Sequence, residues 1–303
     1  MTSFAPLPSD YDGHYVSVPD NGTAFPKLQS LKALLKELAS VLVCYSGGVD
    51  SALVLAVAHG VLGPRAVGMT AVSPSLAPFE KEAAIAIASQ IGARHELVGS
   101  HEIDRPGYVE NSPSRCFHCK SELYDIAEKK RREWDLAHVL NGTNLDDLGD
   151  HRPGLEAAKN AGVRSVLVEC RFNKEDVRHA AQLAGLPVWD KPASACLSSR
   201  IPYGTAVTTE RLAQIGGFEA ELRHLGMRQV RVRLHALPKV ANGELALARV
   251  EVGPNEIVHA FEARDAIVDA GKRFGFAYVT LDLQGYRLGS HNEVLAGRSL
   301  RVI

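Results

Sequence analysis

An α/β fold, a parallel sheet with helices on both faces plus a smaller α+β C-terminal domain, is predicted by three observations. Short apolar runs alternate with helix-length segments through the first 190 residues. The run Val41-Leu42-Val43-Cys44-Tyr45 reads as a central buried strand, and it opens directly into a Gly-Gly turn and a helix. Ahead of it, Leu28, Leu31, Leu34, Leu35 and Leu38 recur at helical spacing. Helices are then expected near 51–61, 79–91, 114–134, 154–161 and 174–184, with strands near 65–72, 94–98, 138–140 and 165–168. Such alternation places ligands at the carboxyl ends of the strands. The pattern changes at Lys191-Pro192-Ala193-Ser194-Ala195-Cys196-Leu197-Ser198-Ser199-Arg200-Ile201-Pro202-Tyr203-Gly204, whose prolines and hydroxyls predict a loop. A helix over 209–224, strands over 229–234 and 246–252, a helix over 262–273 and a strand over 277–281 then give an αββαβ order. Residues 1–24, rich in Pro, Ser, Asp and Gly without periodicity, read as a loose arm. The expected organisation is an arm over 1–24, an α/β domain over 25–190 and a loop with a small α+β domain over 191–303.

Composition narrows the function classes. A chain of 303 residues can bury a large core in one domain or two. Its net charge of −1 provides no broad basic face, which argues against nucleic acid or a membrane surface as partner. No apolar run is long enough to span a bilayer and no leader pattern opens the chain, so a cytoplasmic location is expected. Five cysteines, an odd number, do not read as a disulfide framework.

Ser46-Gly47-Gly48-Val49-Asp50-Ser51 carries the strongest chemical signal. Two glycines between strand and helix permit positive φ, so successive N–H groups can line one concavity, and the helix start adds unpaired N–H groups and a positive dipole end. That is a cradle for a phosphate chain. No Gly-Lys-Ser/Thr follows, so it is not a Walker loop. The segment resembles the SGGxDS signature of the ATP pyrophosphatases, with their adenine nucleotide alpha hydrolase-like sheet, which split ATP between its α- and β-phosphates. By that resemblance Ser46, Gly47, Gly48 and Ser51 hold the departing pyrophosphate. Asp50 is then Mg²⁺-linked or loop-shaping; as a plain alternative it caps the following helix.

Three further constellations stand out. Cys116-Phe117-His118-Cys119 follows Ser112-Pro113-Ser114-Arg115, a helix-start pattern whose positive field favours thiolates. A lone C-x-x-C remains open between redox pair, metal ligand and accident. Cys196, in the polar loop, is the third cysteine of interest; Cys44 and Cys170 fall at strand positions and read as apolar filler. Three thiolates without a second pair argue against a closed zinc site, but they can hold a [4Fe–4S] cluster with one open iron. Asn141-Gly142-Thr143-Asn144-Leu145-Asp146-Asp147-Leu148-Gly149-Asp150-His151-Arg152-Pro153-Gly154 lies at a strand's carboxyl end. Gly142, Thr143 and Asp146 are nucleotide-binding candidates there, and the alternative is a solvated turn capping its neighbours. Arg231 and Arg233 alternate on a strand and share a sheet face, suiting a phosphate or carboxylate. Arg249 and Glu251 alternate likewise on the next strand, and a cross-strand salt-bridge ladder is the alternative.

Taken together, the SGGVDS, NGTNLDD–DHRPG, ACLSSRIPYG and YVTLDLQGYRLGSHNE segments resemble the LarE family over nearly the whole chain after the arm. The resemblance implies an ATP- and Mg²⁺-dependent sulfur transferase in synthesis of the nickel-pincer nucleotide. Its substrate is a small nucleotide, pyridinium-3,5-biscarboxylate mononucleotide, whose carboxylates become thiocarboxylates. Ser46 and Asp50 would serve adenylation, Cys196 sulfur transfer, and Arg231 and Arg233, with Ser199 and Arg200 nearby, the substrate phosphate. Two sulfur sources divide the family: Cys196 itself, left as dehydroalanine, or a sulfide on a [4Fe–4S] cluster held by Cys116, Cys119 and Cys196. The three cysteines favour the cluster. The family also implies a homo-oligomer, typically a hexamer, with the C-terminal domain contributing contacts. Rival readings are a tRNA thiolase of the same superfamily, whose extra zinc-binding cysteine pairs are absent here, and a non-catalytic adenine-nucleotide sensor.

Overall fold

The computed structural model describes residues 22–149, 153–192, 194–238 and 245–287. The expected arm over 1–24 therefore lies almost wholly outside the described residues, as do Asp150, His151, Arg152 and the end of the chain from Leu288.

In chain order the elements are α1 (Ala24–Leu38), β1 (Val41–Cys44), α2 (Val49–Leu62), β2 (Ala66–Val72), α3 (Pro78–Ile91), β3 (Arg94–Gly99), α4 (Pro106–Val109), α5 (Arg115–Glu133), β4 (His138–Leu140), α6 (Pro153–Asn160), α7 (Val166–Glu169) and α8 (Lys174–Leu183). After these come α9 (Thr209–His224), β5 (Val230–Ala236), β6 (Ala246–Val252), α10 (Ile257–Glu262), α11 (Arg264–Arg273) and β7 (Tyr278–Leu281). They form two compact units. Unit 1 takes residues up to Ser73, Pro78–Arg105 and Ser114–Ser194; unit 2 takes Pro74–Ala77, Pro106–Pro113 and everything from Ala195.

Unit 1 is an all-parallel sheet in the order β3-β2-β1-β4. Successive side chains of β1 point to opposite faces, and each face is covered. Val41 and Val43 enter a core with Leu28, Leu31 and Leu35 of α1, Ala52 and Leu55 of α2, Ile87 of α3 and Val177 and Ala181 of α8. Leu42 packs on the other side with Val67, Met69, Ala127 of α5, Leu136 and Val139. Helix α2 is apolar on nearly every side because α1 and α8 cover its outer surface. The strand order puts β2 on one side of β1 and β4 on the other, so the crevice between their crossovers opens where β1 and β4 end.

One expected strand is a helical turn. Residues 165–168 do not extend the sheet; a single bridge joins Leu140 to Arg164, and Val166–Glu169 is α7. Burial of Val166 and Leu167 in the core of α1, α2 and α8 overrides their β-propensity, and Ser165 Oγ is tied to Asn141 Oδ1 at 3.0 Å. Cys170 accordingly caps α7 and is not on a strand. The apolar role expected of Cys170 and Cys44 fits their surroundings, since burial pushes Cys170 up to about 11 and Cys44, at the end of β1, up to about 12, against the opposing charge of Lys120. A thiol-specific alkylating reagent at about pH 8 should therefore modify exposed Cys116 and Cys196 and leave Cys44 untouched in the folded chain. Because the folded pKa of Cys44 is raised, its contribution to stability is complete below pH 9 and lost as pH climbs toward about 12. Rapid native-state labelling of Cys44 by peptide mapping would refute both statements.

Unit 2 holds a three-stranded sheet in the order β5-β6-β7, the first pair antiparallel and the second parallel. Val230, Val232 and Leu234 of β5 and Ala248, Val250 and Val252 of β6 are buried with Ile215, Phe218 and Leu222 of α9. Phe218 stacks on Phe274 and tilts against Phe276. The alternate residues, Arg231, Arg233, Arg249 and Glu251, occupy the opposite face, as the period of a strand requires. The αββαβ order expected from the sequence is observed, with its last helix divided into α10 and α11. Among the described residues no helix is long and apolar enough to cross a membrane.

Candidate functional site

In unit 1 the site is built where β1 and β4 end. Tyr45 N–H still donates to Met69 O across the sheet, and the chain then turns at Gly47, whose φ of +71° is the left-handed conformation a glycine tolerates. A Cβ there would lie 2.9 Å from the Ala84 backbone. Gly48 is extended and forms the N-cap of α2, so one positive-φ glycine makes the turn and the capping role considered for Asp50 falls to Gly48. Ser51 Oγ donates to Gly48 O at 3.1 Å and accepts from Ser46 N at 3.2 Å; Gly48 N donates to Ser46 Oγ at 3.4 Å. The two hydroxyls sit 3.2 Å apart at the mouth of the turn. Gly142 closes the other wall, because a Cβ there would meet Ser51 N at 2.8 Å. The loops after β1 and β4 thus pack backbone to backbone.

The acidic loop after β4 is ordered by its own side chains. Asn141 Oδ1 accepts from Thr143 N at 3.1 Å, Asp147 Oδ2 from Asn144 N at 3.0 Å, and Asp146 Oδ2 from Lys174 N at 2.8 Å. Asp50 receives Asn144 Nδ2 at 2.9 Å and Lys174 Nζ at 2.6 Å, one on each carboxylate oxygen. Lys191 Nζ reaches Gly47 O at 3.2 Å and Glu80 Oε2 at 2.7 Å. Sequence reasoning selected Ser46, Gly47, Gly48, Asp50, Ser51, Gly142, Thr143 and Asp146, and missed Lys174 and Lys191. Lys191 opens the polar loop already singled out. Lys174 follows Asn173 in the capping box that starts α8, a signal for a helix start but not for a cradle. Asp50 and Asp146 beside the glycine turn are hard oxygen donors of the kind Mg²⁺ takes, an ion that needs few protein ligands when phosphates supply the rest.

Cys116 and Cys119 lie in the first turn of α5, exposed and half-buried respectively, in unit 1. None of the five cysteines is in a disulfide. Among the described residues no three His, Cys, Asp or Glu side chains gather to hold a metal ion. As donors, Cys116, Cys119 and Cys196 are thiols outside any disulfide, of the kind an iron–sulfur cluster takes.

Unit 2 carries Cys196, exposed at the head of the 3₁₀ turn Leu197–Arg200. Arg200 fixes this turn from beneath. Its Nη1 donates to Cys196 O at 2.9 Å, to Ala195 O at 2.5 Å and to Ser199 Oγ at 3.0 Å. Its Nε and Nη2 pair with Glu219 of α9 at 2.8 and 3.1 Å, both side chains being 1 % exposed. Glu219 also accepts Val232 N at 2.9 Å, which joins helix, strand and loop. Arg233 donates to Ser199 O at 2.8 Å and pairs bidentately with Glu251 at 3.1 and 2.9 Å. Arg249 bridges Glu251 and Asp282 at 3.2 and 2.6 Å, so the salt-bridge ladder weighed as the alternative on this face is present. Asn111 holds the outgoing chain through Nδ2 to the carbonyls of Ile201, Pro202 and Thr205.

Arg231 lies beside this ladder, buried, with its guanidinium over the Tyr286 ring at 5.1 Å and donating to Val230 O at 2.9 Å. Burial first, then the charge of Arg200, hold its pKa below the ordinary arginine range; Glu219 and Tyr286 oppose this and Arg233 adds to it. A bound anion would relieve that crowding of positive charge.

No family model matches the chain. It is 48% identical over 271 residues to an uncharacterised protein of Synechocystis, covering 89% of this chain and 98% of that protein. It is 36% identical over 279 residues to the pyridinium-3,5-bisthiocarboxylic acid mononucleotide synthase of Lactiplantibacillus plantarum, covering 92% of this chain and 98% of the synthase. The chain belongs to the LarE family. The chain is also 26% identical over 264 residues to an uncharacterised protein of Methanocaldococcus jannaschii, covering 86% of this chain and 97% of that protein. The parallel four-stranded sheet flanked by helices, with the small mixed sheet of the C-terminal unit, is the α/β two-domain fold of this LarE-family chain.

Proposed function

We propose that the chain is an enzyme, an ATP-dependent sulfur transferase, that converts the carboxylates of pyridinium-3,5-biscarboxylate mononucleotide to thiocarboxylates. The observation that carries this reading is Cys196: an exposed thiol on a turn whose carbonyls are held by a buried arginine, in a chain of the LarE family. A carboxylate is a poor electrophile, so activation comes first. A substrate carboxylate oxygen bonds to the α-phosphorus of ATP and pyrophosphate departs, leaving a mixed anhydride with AMP. The N–H groups and hydroxyls of Ser46, Gly47, Gly48 and Ser51 stabilise the charge that develops on pyrophosphate, with Gly142, Thr143 and Asp146 forming the opposing wall. Mg²⁺, held by Asp50 and Asp146, would supply charge neutralisation among the phosphates. Arg231 and Arg233, beside Ser199, bind the substrate phosphate, while Arg200 holds the Cys196 turn. A sulfur nucleophile then attacks the activated carbonyl and AMP leaves.

For the sulfur we favour a [4Fe–4S] cluster held by Cys116, Cys119 and Cys196, which would supply a sulfide. In the alternative route Cys196 Sγ attacks, and cleavage of its Cβ–S bond with loss of the Cα proton leaves dehydroalanine. The homo-oligomer of this reading, a hexamer, would cover apolar side chains that unit 2 exposes, among them Val258 and Phe261 of α10 and Tyr278 of edge strand β7. Iron and acid-labile sulfide in protein purified without oxygen test the source. About four irons per chain, lost on replacing Cys116, Cys119 or Cys196, are expected. No iron after anaerobic reconstitution makes Cys196 the donor. A chain that forms no thiocarboxylate from ATP and the dicarboxylate by either route ends the proposal.

A further inference from the structure

We infer that Lys191 is a positioning residue of the glycine turn, holding the Gly47–Gly48 peptide from behind so that the Gly48 N–H faces the phosphate chain. The inference rests on the nucleotide half of the reading above and is independent of the sulfur source. A peptide group is planar, and in its trans form the C=O and N–H point to opposite sides. Gripping the Gly47 carbonyl therefore aims the Gly48 N–H. Lys191 Nζ donates to Gly47 O at 3.2 Å. On the other side Gly48 N donates to Ser46 Oγ at 3.4 Å, a hydroxyl at the mouth of the turn. Turned over, the same peptide would present its carbonyl oxygen to the anion and repel it. Two adjacent glycines make that reversal cheap, because it carries φ of Gly48 into the positive range. Gly48 does not use this freedom in the observed turn. Its φ is −83°, and a Cβ there would meet Ser46 Oγ at an ordinary 3.5 Å. The turn has the means to flip, and Lys191 is the latch against it.

The latch is built from fixed parts. Lys191 Nζ also pairs with Glu80 Oε2 at 2.7 Å, and both side chains are largely buried. Glu80 stands in the first turn of α3, the helix whose Ala84 backs Gly47 and accepts the Tyr45 hydroxyl at 3.1 Å. The main chain around Lys191 is tied to α8, where Arg178 donates to Trp189 O at 2.7 Å and to Lys191 O at 3.1 Å. The ammonium is thus delivered from α8, oriented by α3 and set against the turn after β1. It lies on the carbonyl side of the peptide, opposite the N–H groups, and its charge is engaged by Glu80. Lys191 therefore acts on a phosphate through the peptide and does not touch it.

Calorimetric titration of the full chain with inorganic pyrophosphate and ATP, at one fixed Mg²⁺ concentration, tests this. The informative variant is Lys191→Met combined with Glu80→Gln, which removes the latch without stranding a buried carboxylate. It should bind pyrophosphate about tenfold more weakly, the effect of losing one charge-assisted hydrogen bond that holds the turn. Lys191→Arg keeps a cationic donor for both Gly47 O and Glu80 and should stay within about threefold of the unmodified chain. Glu80→Gln alone separates positioning from contact. A latch loosened at its support binds pyrophosphate no better, whereas an ammonium that touched phosphate would be released to bind it more tightly. Circular dichroism and thermal unfolding verify that the variants fold. A double variant that binds as the unmodified chain does, a Lys191→Arg variant as weak as the double, or a Glu80→Gln variant that binds more tightly overturns the inference. An unmodified chain that binds neither ATP nor pyrophosphate sinks the nucleotide reading itself, a result that no variant is needed to obtain.

Discussion

Cys196→Ala abolishes thiocarboxylate formation, by at least about a thousandfold, while ATP binding stays within about twofold of the unmodified chain. Both sulfur routes predict the loss, because Cys196 is the donor in one and a cluster ligand in the other. The retained binding follows from the geometry. The turn contacts residue 196 through its backbone carbonyl, held by Arg200 Nη1 and Ser199 Oγ at 2.9 and 2.8 Å, and Leu197 is buried beneath it. Removing Sγ leaves all of these in place. Pyrophosphate release from ATP with the dicarboxylate should continue, since activation does not use the thiol. Normal thiolation by this variant would remove Cys196 from the mechanism.

Arg200→Met produces the largest loss of stability. Glu219, 1 % exposed, is left as a buried carboxylate that, among the described residues, keeps the Val232 N–H as its hydrogen-bond donor, and three acceptors in the Cys196 turn each lose one donor. Stranding one charge of a buried pair costs about 3–5 kcal/mol. Urea denaturation should register that loss, and Glu219→Gln should show one of the same sign because it strands the buried Arg200 guanidinium in turn. A deficit below about 1 kcal/mol for Arg200→Met would mean that water reaches the pair and that the turn is held by something else.

What the sequence made legible was what is local. The apolar β1 run, the glycine turn and the hydroxyls are contiguous, and the structure has the strand, the turn and the paired hydroxyls where they were read. Period-two alternation was enough to put Arg231 and Arg233 on one face and to offer a cross-strand Arg–Glu ladder there as an alternative. Tertiary contacts are invisible to such reasoning. Val166-Leu167-Val168 has the composition of a strand and becomes a helical turn because α1, α2 and α8 offer it a core. The partners of Asp50 and Gly47 lie 124 and 144 residues away, so Lys174 and Lys191 leave no local trace. Arg200 reads as a surface cation in a hydroxyl-rich loop until Glu219, nineteen residues on, is seen to bury it. The grouping of Pro106–Pro113 with the C-terminal residues has the same origin, in Asn111 grasping the carbonyls of Ile201, Pro202 and Thr205.

The way Arg200 holds its turn has a consequence for the history of such a chain. Arginine and serine grip carbonyl oxygens, which every residue possesses, so the scaffold does not register whether position 196 still carries sulfur. A molecule that had surrendered its sulfur would keep the same shape and go on occupying its ligands, a spent copy competing with fresh ones. The same indifference leaves evolution free to exchange one sulfur supply for another without renegotiating the fold.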